Sequence, residues 1–398
     1  MLITSGRKFL LAVVCAVAVA TIYVAQPVLA EIGTGLGVPE SDLGWIVAAG
    51  QVGYVVGLAV LVPLGDMWDR RRLIGMQLLL AAAGTLLAAF SLSSWMLLVG
   101  LATTGLFAVV VQTAVAFAAD LSSPAERGRT LGAVTSGVIL GILGARVLAG
   151  AVADLWGWRS IYVGLTLLLI ALALFVLWLL PADRRPHRKT YRGVVSSLGQ
   201  LFREPLFVSR GSIAFFLFAS FGTLWSGLAL PLSADPWRLS PAQIGAFGIA
   251  GLVGALGATR AGRWADTGRA DLVTGVSLGL LAASWIASAQ ASWSLPLVIL
   301  GVIVLDFAVQ AAHVSNQSLL TSAHPNETSS VIGGYMMFYS LGSALGATTT
   351  TALYATAGWT GSAVLGAVFA LGGLLAWPLG RKTVAKTPCN PCDDGSAA

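Results

Sequence analysis

Gly65-Asp66-Met67-Trp68-Asp69-Arg70-Arg71-Arg72 is a short polar hairpin between two long apolar stretches. It returns in altered form as Gly262-Arg263-Trp264-Ala265-Asp266-Thr267-Gly268-Arg269. Gly65 to Gly262 and Asp69 to Asp266 are both 197 positions apart. Pro124, Glu126 and Gly132 return as Pro325, Glu327 and Gly333, and Gly157-Trp158 returns as Gly358-Trp359, all at an offset of 201. Three elements repeated in the same order imply two homologous halves. Duplicated apolar halves joined by a polar linker are the build of a secondary transporter.

Composition agrees. Only 10% of the 398 residues are charged and 57% are hydrophobic, with a mean hydropathy of +0.84. An ordinary soluble domain carries about 25% charged residues, so the chain lacks the groups a water-facing surface needs. Apolar stretches long enough to cross a hydrocarbon core as helices recur throughout. They lie at 9-30, 43-64, 73-91, 95-118, 131-152, 160-180, 208-231, 243-261, 272-290, 294-320, 331-356 and 360-379. The 47 glycines suit close helix contact in a bilayer. The first stretch follows Arg7 and Lys8 as a signal peptide would, but it is longer than the usual apolar region and more spans follow. It is read as a retained helix.

Positive charge sets the orientation. Of 23 Lys and Arg residues, only Arg159 and Arg238 fall in one set of loops and Arg146 within a span; the rest lie in the two tails, the alternate loops and their flanks. By the positive-inside rule both termini and the middle loop are expected in the cytoplasm, in a multi-pass protein of the cell (inner) membrane. The net charge of +6 then reports topology and not nucleic-acid binding. The expected division is a six-helix bundle at 1-181, a cytoplasmic linker at 182-207, a second bundle at 208-380 and a disordered tail at 381-398. Within the linker, Val194, Val195, Leu198, Leu201 and Phe202 form an amphipathic piece that can lie along the inner leaflet, although the favoured reading is a simple tether joining the two halves. Cys389 and Cys392 form a C-x-x-C in the tail with no second Cys or His pair nearby, so no metal site is expected. No Walker A pattern, cofactor motif or catalytic motif is present. Transport must draw on gradients, and the chain is read as no enzyme.

The hairpin resembles motif A of the major facilitator superfamily, G-x-L-A-D-R-x-G-R-K. Gly65, Asp69, Arg70 and Arg72 carry one copy, and Gly262, Asp266, Gly268 and Arg269 the other. Tyr23-Val24-Ala25-Gln26-Pro27-Val28-Leu29 is similar to the Pro-containing motif of twelve-helix drug:proton antiporters. Gly137 to Arg146, and Leu305-Asp306 through Asn316-Gln317, look like the YnfM-like bacterial efflux subgroup. The resemblance implies an all-α membrane protein of twelve transmembrane helices in two pseudo-symmetric six-helix bundles around a central cavity that opens alternately to either side. It further implies a gate at Gly65, Asp69, Gly262, Asp266 and Arg269, with Arg72 and Arg129 as candidate partners of Asp69. A carboxylate there can face a helix N-terminus, where unpaired amides favour negative charge. The alternative is that these charges only set topology, which is the expectation for Arg70 and Arg71. Two departures are plain. Leu101 stands where antiporters of this class carry a helix-4 Arg, and Ala145-Arg146 stands in place of a helix-5 Gly-Pro.

Charges inside a bilayer are costly and face a cavity or a partner. Arg146 and Asp306 are the two clear cases. Asp306, Gln310, His313 and Gln317 are spaced to share one helix face, with Asn316 off to the side. A polar stripe in an apolar span is expected to face the transport path. Asp306, His313 and Arg146 are therefore the proton-coupling candidates, although His313 can equally be a packed helix contact. Tyr23, Gln26, Gln51, Tyr54, Gln112, Gln310, Gln317 and Trp225 are the substrate-binding candidates. Phe215, Phe218 and Phe221 join Trp225 in an aromatic wall, a pattern that also serves ordinary packing. The combined expectation is a monomer that exports small organic compounds by alternating access in exchange for protons. Its competitors are an uptake symporter or facilitator of the same fold and a membrane sensor with vestigial transport.

Overall fold

The computed structural model describes residues 4–123, 126–182, 196, 198–258, 269–324 and 328–384. Among these there is no strand. The spanning helices are α1 (Ser5–Tyr23), α2 (Gly44–Val60), α3 (Arg70–Ala89), α4 (Ser94–Asp120), α5 (Arg127–Trp156) and α6 (Trp158–Leu179). The second half repeats them as α7 (Pro205–Gly227), α8 (Pro241–Gly257), α9 (Ala270–Ser288) and α10 (Leu295–Ala323), followed by one helical stretch, Thr328–Val384. Gly358, at φ +61°, breaks that stretch into α11 (328–357) and α12 (359–384). Among the described residues ten helical segments are long and apolar enough to span. The divided last stretch and the shorter apolar α8 account for the twelve read from the sequence.

The repeated Gly-Trp pair has a local cause. Gly157, at φ +78° and ψ 160°, ends α5 as Gly358, at φ +61° and ψ −164°, ends α11, in an essentially glycine-only region where an L side chain costs about 1–3 kcal/mol. The tryptophan that follows then turns inward. Trp158 packs edge-on against Tyr162, and Trp359 Nε1 donates to the Ser288 carbonyl at 2.9 Å. Elsewhere helix starts are capped in the ordinary way, with Ser93, Ser240 and Ser294 hydroxyls accepting backbone N–H groups.

Within each half the helices touch backbone to backbone. A Cβ on Gly137 or Gly141 of α5 would collide with the carbonyls of Ala12 or Ala16 on α1. Gly342 and Gly346 of α11 stand in the same relation to Phe215 and Ala219 on α7. Lipid gives no hydrophobic drive between helices, so such close packing is what holds each bundle. Apolar side chains such as Phe9, Leu92, Trp95, Trp178 and Leu375 are left facing outward.

The two bundles meet along α2–α11 and α5–α8. Gly44 N donates to Thr351 Oγ1 at 3.0 Å, and Ser240 Oγ donates to Asp154 Oδ2 at 2.8 Å. These contacts lie at the end of the molecule far from the termini. Toward the end that carries the termini the bundles part. Gly132 on α5 has no neighbour among the described residues within 4 Å of a Cβ position, and Gly132, Ala133, Thr135 and Ser136 are exposed.

Two sequence expectations need correcting. The described part of the linker's amphipathic piece does not lie free: Leu201 is buried, and Phe202 packs at 5.4 Å on both Phe207 and Phe338 of the second bundle. An apolar face this close to the start of α7 finds protein before it finds lipid. Arg70, expected to be a topology charge, is buried; it pairs with Asp120 and donates from Nε to the Gly65 carbonyl at 2.8 Å. Val194, Val195 and the Cys389/Cys392 pair lie outside the described residues.

Candidate functional site

The two mid-span charges come together across the seam between the bundles. Arg146 on α5 stacks its guanidinium on the Trp225 ring of α7, 3.8 Å from the centroid, with Tyr23 at 5.3 Å and Phe221 at 5.4 Å. A desolvated contact of this kind is worth about 2 kcal/mol. Trp225 Nε1 in turn donates to Asp306 Oδ2 on α10 at 3.2 Å. Cation and acid are thus joined through an indole and make no direct hydrogen bond. Gly251 of α8 makes room, since a Cβ there would stand 3.0 Å from Trp225 and 3.3 Å from the Asp306 carboxyl carbon. Arg146 Nε donates to Gln26 Oε1 at 2.9 Å. The stretch Gln26–Val28 is a short 3-10 turn that carries Gln26 off the end of α1 and into the seam. Trp225, Gln26 and Arg146 line a small gap with Pro27, Leu228 and Ile244, with room for roughly one water molecule.

The other candidates divide. Tyr23 joins the Arg146 cluster. Gln112 Nε2 donates to Tyr54 OH at 3.3 Å, which ties α4 to α2. Gln51 is buried in the first bundle near the Tyr23 hydroxyl. On the α10 stripe Asp306 is buried, while Gln310, His313 and Gln317 are half-buried along the side where the bundles part. His313 stands among rings: Phe218 at 5.2 Å, Tyr335 at 5.4 Å and Tyr339 at 6.0 Å. These are the surroundings of a packed helix contact. Phe215 packs on Phe216, away from the Arg146 cluster that Phe221 and Trp225 form.

At the hairpin, Asp69 caps α3 by accepting from Arg71 N at 2.9 Å, and its Oδ2 lies 3.9 Å from Arg72 Nε. Gly65 supplies the carbonyl that Arg70 binds. Arg129 is exposed near the start of α5, and Arg269 is exposed just before α9. Gly262 and Asp266 lie outside the described residues.

One polar cluster was not expected from the sequence. Arg210, counted with the loop flanks, is fully buried; it donates from Nη2 to Asp271 Oδ1 at 2.8 Å and from Nη1 to Asn316 Oδ1 at 3.3 Å. Trp377 Nε1 also reaches Asp271 Oδ1, at 3.1 Å. The cluster ties α7, α9, α10 and α12 together near the end that carries the termini. Its signal was Asn316 itself, a buried amide on the side of α10 away from the stripe.

The family model described as Major Facilitator Superfamily matches residues 9–234 and 212–389. The chain belongs to the major facilitator superfamily. It is 40% identical over 370 residues to the uncharacterized transporter YgaY of Escherichia coli O157:H7, an alignment covering 92% of this chain and 94% of that protein. It is 26% identical over 254 residues to the inner membrane transport protein YnfM of Escherichia coli (strain K12), covering 61% and 59%. Among solved structures it is similar to a bacterial homolog of the human lysosomal transporter Spinster in an inward-facing, occupied conformation, with a TM-score of 0.77 at 16% identity over 96% of this chain and 97% of that one. This superfamily member is accordingly a multi-pass membrane transporter of small molecules, with the two-bundle fold expected from its repeats.

Proposed function

We propose that this superfamily member is a proton-coupled transporter of small organic compounds, acting as a monomer by alternating access, with Asp306 carrying the proton. The observation that supports this is the Arg146–Trp225–Asp306 bridge. It joins the buried acid of one bundle to the mid-span cation of the other across the seam that must move. A proton gained or lost at Asp306 is felt at once by the group that contacts the opposite bundle. Export in exchange for protons, the sense the family resemblance implies, follows where substrate and proton compete for the bridge. Uptake by co-transport is the second reading, favoured by one observation: Arg146 Nη2 has no partner among the described residues and suits an anion. Proteoliposomes with an imposed pH gradient test the proposal. Flux against the proton gradient supports exchange, flux with it supports co-transport, and a gradient without influence on flux would sink proton coupling.

In this proposal the termini face the cytoplasm of the inner membrane. Cysteine tags after Arg381 and between Arg184 and Arg192 should label from the cytoplasm, and a tag at Asp235 from outside. Labelling of the C-terminal tag from outside would overturn the arrangement.

The hairpin acid is proposed to latch the cytoplasmic end when it closes. In the present, parted state Asp69 serves as a helix cap, a contact worth about 0.5–2 kcal/mol. Asp69→Asn keeps much of the cap and loses the charge. Cytoplasmic access to a cysteine at Gln310 should rise several-fold, and unchanged labelling with full transport would reject the latch.

A further inference from the structure

The bridge contains a chemical mismatch. Arg146 is 1% exposed, and a buried cation is stable only where acceptors satisfy its donors. Nε is satisfied by Gln26 Oε1, and Nη1 reaches the Ile142 carbonyl at 3.5 Å, but Nη2 has no partner among the described residues. Asp306 gives its Oδ2 to the Trp225 indole, whose ring covers the guanidinium. Gln26, also 1% exposed, leaves a second donor unfilled at Nε2. Both residues line the gap at the seam. Two residues with an unfilled donor each therefore line one gap, beside an apolar wall of Trp225, Leu228 and Ile244.

We propose that this gap is the anionic subsite of the substrate. It takes the carboxylate of a small organic acid, with Arg146 Nη2 and Gln26 Nε2 donating to its oxygens and the apolar wall against its carbon skeleton. The inference rests on the transporter reading above and names the substrate class for it. A carboxylate matches the donor fork of a guanidinium in geometry and charge. An alcohol leaves the charge unpaired, and an organic cation is repelled by it. The gap now holds roughly one water molecule, so the subsite fills as the seam relaxes around it.

Filling it changes the charge balance. With Asp306 ionised, Arg146 and Asp306 together are neutral; an added carboxylate then leaves one uncompensated negative charge in a water-poor site unless Asp306 takes up a proton. Arg146 is the charged group that faces Asp306 from a packed element. The helix α8 has no charged residue, and Arg210 of α7 and Asp271 of α9 are paired with each other nearer the termini. His313 lies two helical turns further along α10 among its rings. Anion and proton therefore bind together, one for one, which is the co-transport form of the transporter reading and not the exchange form.

The full-length protein in lipid nanodiscs, weakly buffered at pH 7 with a pH-sensitive dye, tests this. The probes are sodium benzoate, benzyl alcohol, benzylammonium chloride and sodium chloride. Benzoate should bind saturably, raise the melting temperature and take up one proton per site, while the other three should not. Arg146→Lys, which keeps the charge and loses the fork, should weaken binding less than Arg146→Gln, and both Arg146→Gln and Gln26→Leu should weaken it about tenfold or more, the effect of losing a hydrogen bond to a charged group. Where Arg146→Gln fails to fold, Gln26→Leu carries the test. No saturable benzoate binding, equal affinity in wild type and Gln26→Leu, or binding of benzylammonium or chloride in place of benzoate would each overturn the carboxylate subsite. Asp306→Asn separates the two readings. Benzoate binding without proton uptake supports both, whereas unchanged proton uptake upholds the subsite and refutes Asp306 as the proton carrier.

Discussion

Asp306→Asn should abolish substrate-induced proton movement and pH-gradient-driven accumulation, while counterflow exchange of substrate continues. The amide keeps the size of the carboxyl and still accepts from Trp225 Nε1 through its Oδ1, so the indole stays over Arg146. What is lost is the second charge state. The variant imitates a permanently protonated acid, able to cycle with substrate but not to load or release a proton. Proton-driven flux should fall to the background of empty liposomes, and the exchange rate should remain within a few-fold of wild type. The measurement is dye-reported proton flux beside radiolabelled substrate exchange in the same vesicles. Equal proton movement in both proteins would make Asp306 structural and place coupling elsewhere.

A tryptophan at Gly44 or Gly150 should stop transport almost completely by barring the present state. A Cβ on Gly44 would collide with the Ala347 carbonyl of the opposite bundle, and one on Gly150 with the Pro241 carbonyl. Either clash lies between the bundles and disappears when the far end opens, so the fold survives and the equilibrium shifts. Moving a two-state population from mostly one form to mostly the other takes about 5.5 kcal/mol, and a large ring wedged between two backbones supplies that order of penalty. Cysteine labelling at Gln310 from the side that carries the termini should fall by about tenfold or more in Gly44→Trp, with a melting temperature near that of wild type. Unchanged labelling with normal transport would mean that the far seam need not close.

The architecture was open to reading from the sequence because the bilayer enforces it. Unpaired backbone is not tolerated in hydrocarbon, so each apolar stretch had to be a helix, and the recurrence of Gly157-Trp158 as Gly358-Trp359 reported the same turn in both halves. Arg146 and Asp306 were legible for the same reason, as charges set against an apolar background. Their connection was not. Trp225 was one aromatic among several on α7, and only the depth at which α5, α7 and α10 cross makes its indole the link between them. Arg210 was missed because it sits one turn inside a helix start, where a cation ordinarily reaches the headgroups; Asp271 and Asn316 hold it inward instead. Burial of Arg70 follows the same logic, with Asp120 as its holder.

The far seam is drawn together by a hydroxyl on a backbone amide at Gly44 and Thr351, and by a hydroxyl on a carboxylate at Ser240 and Asp154. Neither of these contacts is an ion pair. Dissolved ions screen charge–charge attraction over about 8–10 Å at ordinary ionic strength, but they do little to a short contact between a neutral donor and its acceptor. A surface closed this way holds with similar strength in dilute and in saline surroundings. That end of the seam is thereby insulated, in the working cycle, from changes in the ionic strength of the solution it faces.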